Sequence, residues 1–186
     1  MGDFEKAVSV MTELFGRDYQ FALSTAKDNI PSSRVIDTFF DGESFYVVPS
    51  GRSQKAAEIA GNPHVSLCSR KMHSFSGLAY NIGHPLKPGN EEIRKRLTQA
   101  FGSWYFLHTN EADENLCYLK ICPDAGFFHF FVDGRHDFTH GIFRDRHLRA
   151  AKIPVGNHGQ ADGALAGVVR YGVGHQANPT GLGHLF

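Results

Sequence analysis

Three apolar segments joined by very short connections constrain this chain more than any other feature. Residues 20–26, 33–40 and 44–49 are each short and apolar or β-branched. Lys27-Asp28-Asn29-Ile30-Pro31 separates the first two, and Asp41-Gly42 opens the second gap. Asp and Asn tolerate unusual backbone dihedrals, Pro cannot continue a central strand, and Asp-Gly is a strong hairpin signal. A parallel crossover needs roughly a dozen residues or more. Connections this short therefore predict an antiparallel meander.

The meander continues after a short helix over residues 53–61. Ser53 is suited to its N-cap, Ala56, Ala57 and Ile59 give it an apolar side, and Gly61-Asn62-Pro63 ends it. Residues 64–70 alternate, with Val65, Leu67 and Ser69 on one face, and residues 74–83 form the longest strand candidate. Gly77 in mid-strand marks a bulge or a close approach to the backbone. A helix over residues 91–108 carries Ile93, Leu97, Phe101 and Trp104 on one stripe, with Glu91 and Glu92 at its start. Two further strands are expected over residues 116–122 and 126–132. An amphipathic helix over residues 4–15, with Val8, Met11, Leu14 and Phe15 on its apolar side, is expected to lie on the sheet. The fold class is mainly β with flanking helices.

Past Val132 the pattern ends. Gly and His become frequent, Glu is absent, Lys152 is the sole lysine, and no period persists. The expected organisation is a domain over residues 1–132 and a Gly/His-rich tail over 133–186, with a composition that favours poor order. Such a tail could wrap a partner subunit or be a stretch displaced by a reading-frame change.

Composition removes several classes of function. The formal net charge is zero, which argues against a broad nucleic-acid footprint. No stretch approaches 18 continuous apolar residues, and the acidic N-terminus lacks a leader's basic start, so neither a membrane span nor a secretory leader is expected. Cys68, Cys117 and Cys122 form no C-x-x-C pair, and their odd number fits a reducing, cytoplasmic setting.

The residues that carry chemistry lie in and just after the meander. A helix start offers unpaired N–H groups and partial positive charge, so Ser53 and Lys55 could hold an anion. The plainer alternative is a capping serine and a solvated lysine. Arg34 shares a strand face with Ile36 and Thr38, while Val35, Asp37 and Phe39 face the other way. An arginine among apolar neighbours needs a partner. A phosphate would match its fork. The carboxylates of Asp41, Glu43 and Glu58 are also available, or the face is simply exposed. The backbone at Val35, Ile36 and Asp37 could serve the polar edge of a flat ring such as a flavin.

These pieces together resemble a known family. Arg34-Val-Ile-Asp-Thr-Phe-Phe, Phe45-Tyr46-Val47, Ser53-x-Lys55-Ala56 and Asn62-Pro63-x-Val65-Ser66-Leu67-Cys68 are similar to the pyridoxamine 5′-phosphate oxidase-related, FMN-binding split-barrel family. The likeness continues through His73-Ser74-Phe75-Ser76-Gly77, Asn81-Ile82-Gly83-His84-Pro85, Trp104-Tyr105-Phe106 and Glu114 to Ile121, covering about residues 5–130. The resemblance implies a six-stranded antiparallel split barrel and a homodimer with FMN at the subunit interface. It implies that Arg34, Ser53 and Lys55 hold the phosphate and that Val35, Ile36 and Asp37 line the ring. Ser50 stands in for a flavin-touching residue at the end of the third strand. Gln54 occupies a position where true oxidases usually carry Arg. Ser76 and Gly77 lie on the strand that a partner subunit contributes. The implied activity is FMN-dependent oxidoreduction of a small-molecule substrate, as in a flavin reductase or an oxidase-like enzyme. A non-catalytic flavin- or haem-binding module and a deazaflavin-dependent reductase are the alternatives. The Trp/Arg-rich C-terminal segment of the true oxidases has no counterpart, so their own activity is not expected.

The histidines add no metal site. His136 and His140 have a helical metal-ligand spacing, but Gly134 and Gly141 flank them and H-E-x-x-H is absent. His73 and His84 border the longest strand, either as loop histidines or as a proton donor or haem ligand near a ring. No residue is assigned as a catalytic acid or base.

Overall fold

The computed structural model describes residues 3–132 and 135–139. Seven strands form one sheet: β1 (Tyr19–Lys27), β2 (Ile30–Phe40), β3 (Phe45–Val47), β4 (His64–Cys68), β5 (Ser74–Gly83), β6 (Tyr118–Val132) and β7 (Arg135–Thr139). Their order is β3-β2-β1-β4-β5-β6-β7, and β3 also pairs with β6, so the first six strands close into an antiparallel barrel. The expected meander is β1-β2-β3. Its first turn is the pair Asp28 and Asn29, both left-handed (φ 53° and 62°), which closes a tight hairpin with Lys27 opposite Ile30.

Among the described residues four helices accompany the barrel: α1 (Asp3–Phe15), α2 (Gln54–Gly61), α3 (Glu91–Phe101) and α4 (Ser103–His108). Helix α1 inserts Ala7, Met11 and Phe15 into the barrel core, one helical turn apart. The Phe15 ring meets those of Phe21, Phe45 and Phe75 at 5.4–5.8 Å between centroids. A second apolar cluster lies outside the interior one, where Leu97, Phe101 and Tyr105 of α3 and α4 pack on Phe39, Tyr46 and Tyr118.

Several sequence expectations need correction. The helix expected over 91–108 is two helices, because Gly102 adopts a positive φ of 56° that breaks the run. The two strands expected over 116–122 and 126–132 are one strand, β6, despite Pro123. The register shifts between Ser76↔Ala125 and Gly77↔Pro123, leaving Asp124 as an extra residue, and this bulge accommodates the proline. A Cβ on Gly77 would overlap the Cys122 carbonyl there, so the close approach expected at Gly77 is that of the neighbouring strand. Strand β7 lies past the expected boundary at Val132 and pairs with the end of β6, from Phe128↔Thr139 to Val132↔Arg135. The Asp133-Gly134 dipeptide between them is itself a hairpin signal. The rest of the expected tail lies outside the described residues, as do His140 and His147, while His136 is in a strand and not a helix.

Candidate functional site

The site begins where the barrel is incompletely paired. Strand β3 meets β2 only at Phe39↔Tyr46 and Phe40↔Phe45. From Ile30 to Thr38, β2 therefore has β1 on one side and no described strand on the other. In an antiparallel hairpin, alternate residues turn both backbone groups toward the partner. Counting from the closing pair Lys27↔Ile30, residues Ser32, Arg34 and Ile36 bond β1. Pro31, Ser33, Val35 and Asp37 turn their backbone groups to the open edge. Pro31, with no N–H, sits at a position where none is needed. After Val47 the chain leaves β2 for β6: the Pro49 carbonyl accepts from the Cys117 N–H at 3.0 Å, and Ser50 bridges to Leu116.

A cavity of about 180 Å³ fills the resulting gap. Val35, Ile36 and Asp37 form one wall, and Val47, Val48 and Pro49 form the second. Phe101 and Trp104, from α3 and α4, close the third side, and Lys55 stands as the cation of the lining. The sequence pattern had already gathered Val35, Ile36, Asp37 and Lys55. It placed Phe101 and Trp104 on an apolar helix stripe without linking them to the site. The missing signal was tertiary: only the barrel brings residue 104 beside residue 35.

The anion-binding end lies at the start of α2. Ser53 occupies the N-cap position in extended conformation (φ −67°, ψ 151°), yet its hydroxyl does not cap the helix. Its Oγ is buried with no hydrogen-bond partner among the described residues. Burial, and next the Arg34 charge, push the Lys55 pKa below that of an ordinary lysine. The buried Cys117 thiol lies near Lys55, and burial raises its pKa while the lysine opposes the rise.

Arg34 has found a carboxylate, that of Glu58. Arg34 Nη2 donates to Glu58 Oε2 at 2.7 Å, and Nη1 donates to Thr25 Oγ1 at 2.5 Å. Three more donors reach the same carboxylate: Ser32 at 2.6 Å, Thr25 at 2.5 Å and Gln54 at 2.7 Å. Glu58 is only 5% exposed. The Ser32 hydroxyl first, then Thr25, with Arg34 and Gln54 behind, hold its pKa down at about 2. Gln54 thus supports Glu58 from one helical turn away.

The remaining sequence candidates lie elsewhere. The Ser50 Oγ accepts the Arg52 N–H at 3.3 Å. Ser76 is exposed on β5, where its hydroxyl donates to Asp124 at 3.4 Å, and neither it nor Gly77 lines the cleft. His73 is buried beside the Phe15 and Tyr19 rings, and His84 Nδ1 accepts the Leu86 N–H within its own loop. Among the described residues there is no His/Cys/Asp/Glu group fit to hold a metal, and no helix is long and apolar enough to cross a membrane.

No protein-family model and no curated protein matches this sequence. Solved structures do match its shape. A Listeria innocua protein provisionally named a pyridoxamine 5′-phosphate oxidase superposes with a TM-score of 0.50 at 19% identity, over 67% of this chain and 96% of its own. The chain has the pyridoxamine 5′-phosphate oxidase-like split-barrel fold. HutZ, the haem storage protein of Vibrio cholerae, shares this split barrel with a TM-score of 0.52 at 14% identity, over 66% of this chain and 92% of its own. An FAD-binding protein of Mesorhizobium loti does so with a TM-score of 0.50 at 13% identity, over 63% and 90%. At identities this low the superpositions show the split-barrel fold alone, and the ligands named belong to those proteins.

Proposed function

We propose that the cleft binds a flavin, FMN in the first instance, and that the chain is an FMN-dependent oxidoreductase acting on a small-molecule substrate. The observation that carries this reading is the pairing of two unmet needs around one cleft, which Lys55 and the β2 edge both line. In the first, a buried serine hydroxyl lacks a partner beside a half-buried lysine at a helix start. In the second, the open edge of β2 presents the backbone groups of Val35 and Asp37. A phosphate satisfies the first, and the pyrimidine rim of a flavin satisfies the second.

The bound flavin would supply the hydride or electron transfer. The chain's own residues would bind and orient it. Lys55 and Ser53 would hold the phosphate, the β2 edge would fix the polar rim, and Trp104, Phe101 and Val48 would exclude water from the ring. Ligand pockets usually enclose about 300–1,000 Å³, so a 180 Å³ cleft is a partial one. A second copy of the chain is the partner we assign to complete it, with Ser76 and Gly77 on the contributing strand. The three cysteines are free, which supports a reducing, cytoplasmic setting.

The test is flavin binding to the purified protein, followed by absorbance and fluorescence quenching. Two bands in the near-ultraviolet and blue are expected, whereas a sharp Soret band would favour a haem-binding module. Lys55→Ala should weaken FMN about tenfold, the worth of one charge-assisted hydrogen bond, and leave riboflavin, which lacks the phosphate, within about twofold. Equal FMN affinity in wild type and variant would overturn the assignment of the phosphate end.

A further inference from the structure

The strand arginine expected to clamp a phosphate is already clamped. Both terminal nitrogens of Arg34 are engaged, one on Glu58 and one on Thr25. Glu58 in turn receives donors from Ser32, Thr25, Arg34 and Gln54, which draw on β1, β2 and α2 together. The carboxylate is buried and sits within the same helix as Lys55, one turn from the N-terminus. It takes up the Arg34 and Gln54 donors that an external anion could otherwise use. Glu58 offsets the charge of Arg34, so Lys55 is the cation of the cleft lining that this ion pair does not take up.

We propose that Glu58 is the specificity-determining residue of the anion end: by holding Arg34 it leaves Lys55, beside the Ser53 hydroxyl, without the guanidinium as a second cation for a phosphate. The inference rests on the flavin reading of the cleft for its ligand, but its physical content concerns any phosphate. A dianionic phosphomonoester, such as that of FMN, is then recognised only weakly over the same ring without a phosphate. Neutralising Glu58 frees the guanidinium fork and turns the same pocket into a two-cation clamp. Because its donors keep Glu58 ionised far below neutral pH, this restraint is constant at every physiological pH.

The experiment compares wild type with Glu58→Gln and with the paired Arg34→Gln/Glu58→Gln variant, titrated with FMN, riboflavin and inorganic phosphate by calorimetry. Glu58→Gln is expected to tighten FMN and inorganic phosphate about tenfold or more, the worth of one or two charge-assisted hydrogen bonds, with riboflavin unchanged. The paired variant should lose that gain. On wild type, the side-chain ¹⁵N resonances of Arg34 should stay in place as phosphate or FMN is added while that of Lys55 shifts, a readout that does not require any variant to fold. The proposal is overturned if Glu58→Gln leaves phosphate affinity unchanged, if it tightens riboflavin equally, or if the Arg34 resonances of wild type move with Lys55. If phosphate tightens as expected but no flavin binds any variant, the anion specificity stands and the flavin reading fails. If neither phosphate nor flavin binds at all, both fail.

Discussion

At the scale of single residues, Glu58 has a second measurable property. Its carboxyl, near 4.5 when unperturbed, is held at about 2 by Ser32, Thr25, Arg34 and Gln54. A folded-state pKa below the unfolded one means stabilisation that is fully present above about pH 4.5 and is lost as the pH falls toward 2. Acid unfolding of wild type should therefore steepen across that window, and Glu58→Gln should flatten it when stability is measured by urea titration at successive pH values. Equal pH slopes in the two proteins would remove Glu58 from the acid response. The sequence alone showed part of this. It put Arg34 on a face that demands a partner and offered Glu58 among three carboxylates. It could not choose among them, since Glu58 lies 24 residues downstream and the choice depends on how α2 settles against β1 and β2.

At the scale of elements, periodicity and turn chemistry made the meander legible. Asp28-Asn29 and Asp41-Gly42 fix its corners, and Ile36 and Thr38, which alternation puts on one face, are both buried. What stayed hidden depended on contacts between distant segments. Two strands were expected where β6 runs as one, because the bulge opposite Gly77 that absorbs Pro123 depends on the neighbouring strand. The apolar stripe of residues 91–108 packs on the barrel as its spacing predicts, but one glycine at φ 56° divides the helix ahead of Trp104. The same division has a consequence for motion. Helices α3 and α4 bury Leu97, Phe101 and Tyr105 in the outer cluster, apart from the barrel interior. They are pinned by the Tyr105–Tyr118 hydroxyl pair at 2.6 Å and by the Arg94–Glu111 fork at 2.7 Å. Amides of α3 and α4 are expected to exchange with solvent through smaller openings than those of β1 or β5 in native-state hydrogen exchange. Uniform protection across helices and barrel would show that the two clusters open as one.

At the scale of the whole molecule, the proposed dimer is motivated by what the described residues of one chain leave uncovered. The cleft is too small for a flavin by itself, and Ile30 and Val35 on the open strand are 69% and 68% exposed. Light scattering on the purified protein should give twice the mass of one chain; a strictly monomeric protein that still binds flavin would mean that one copy suffices. The open edge of β2 also bears on shelf life. An unpaired strand edge is a template for any other strand, and evolution commonly blunts it with a proline, as Pro31 does here at one end. The backbone groups of Val35 and Asp37 lie beyond that protection. Whatever occupies the cleft therefore acts as a stopper against uncontrolled strand addition, and the same scattering experiment should show protein stripped of ligand clumping faster on storage than protein saturated with flavin.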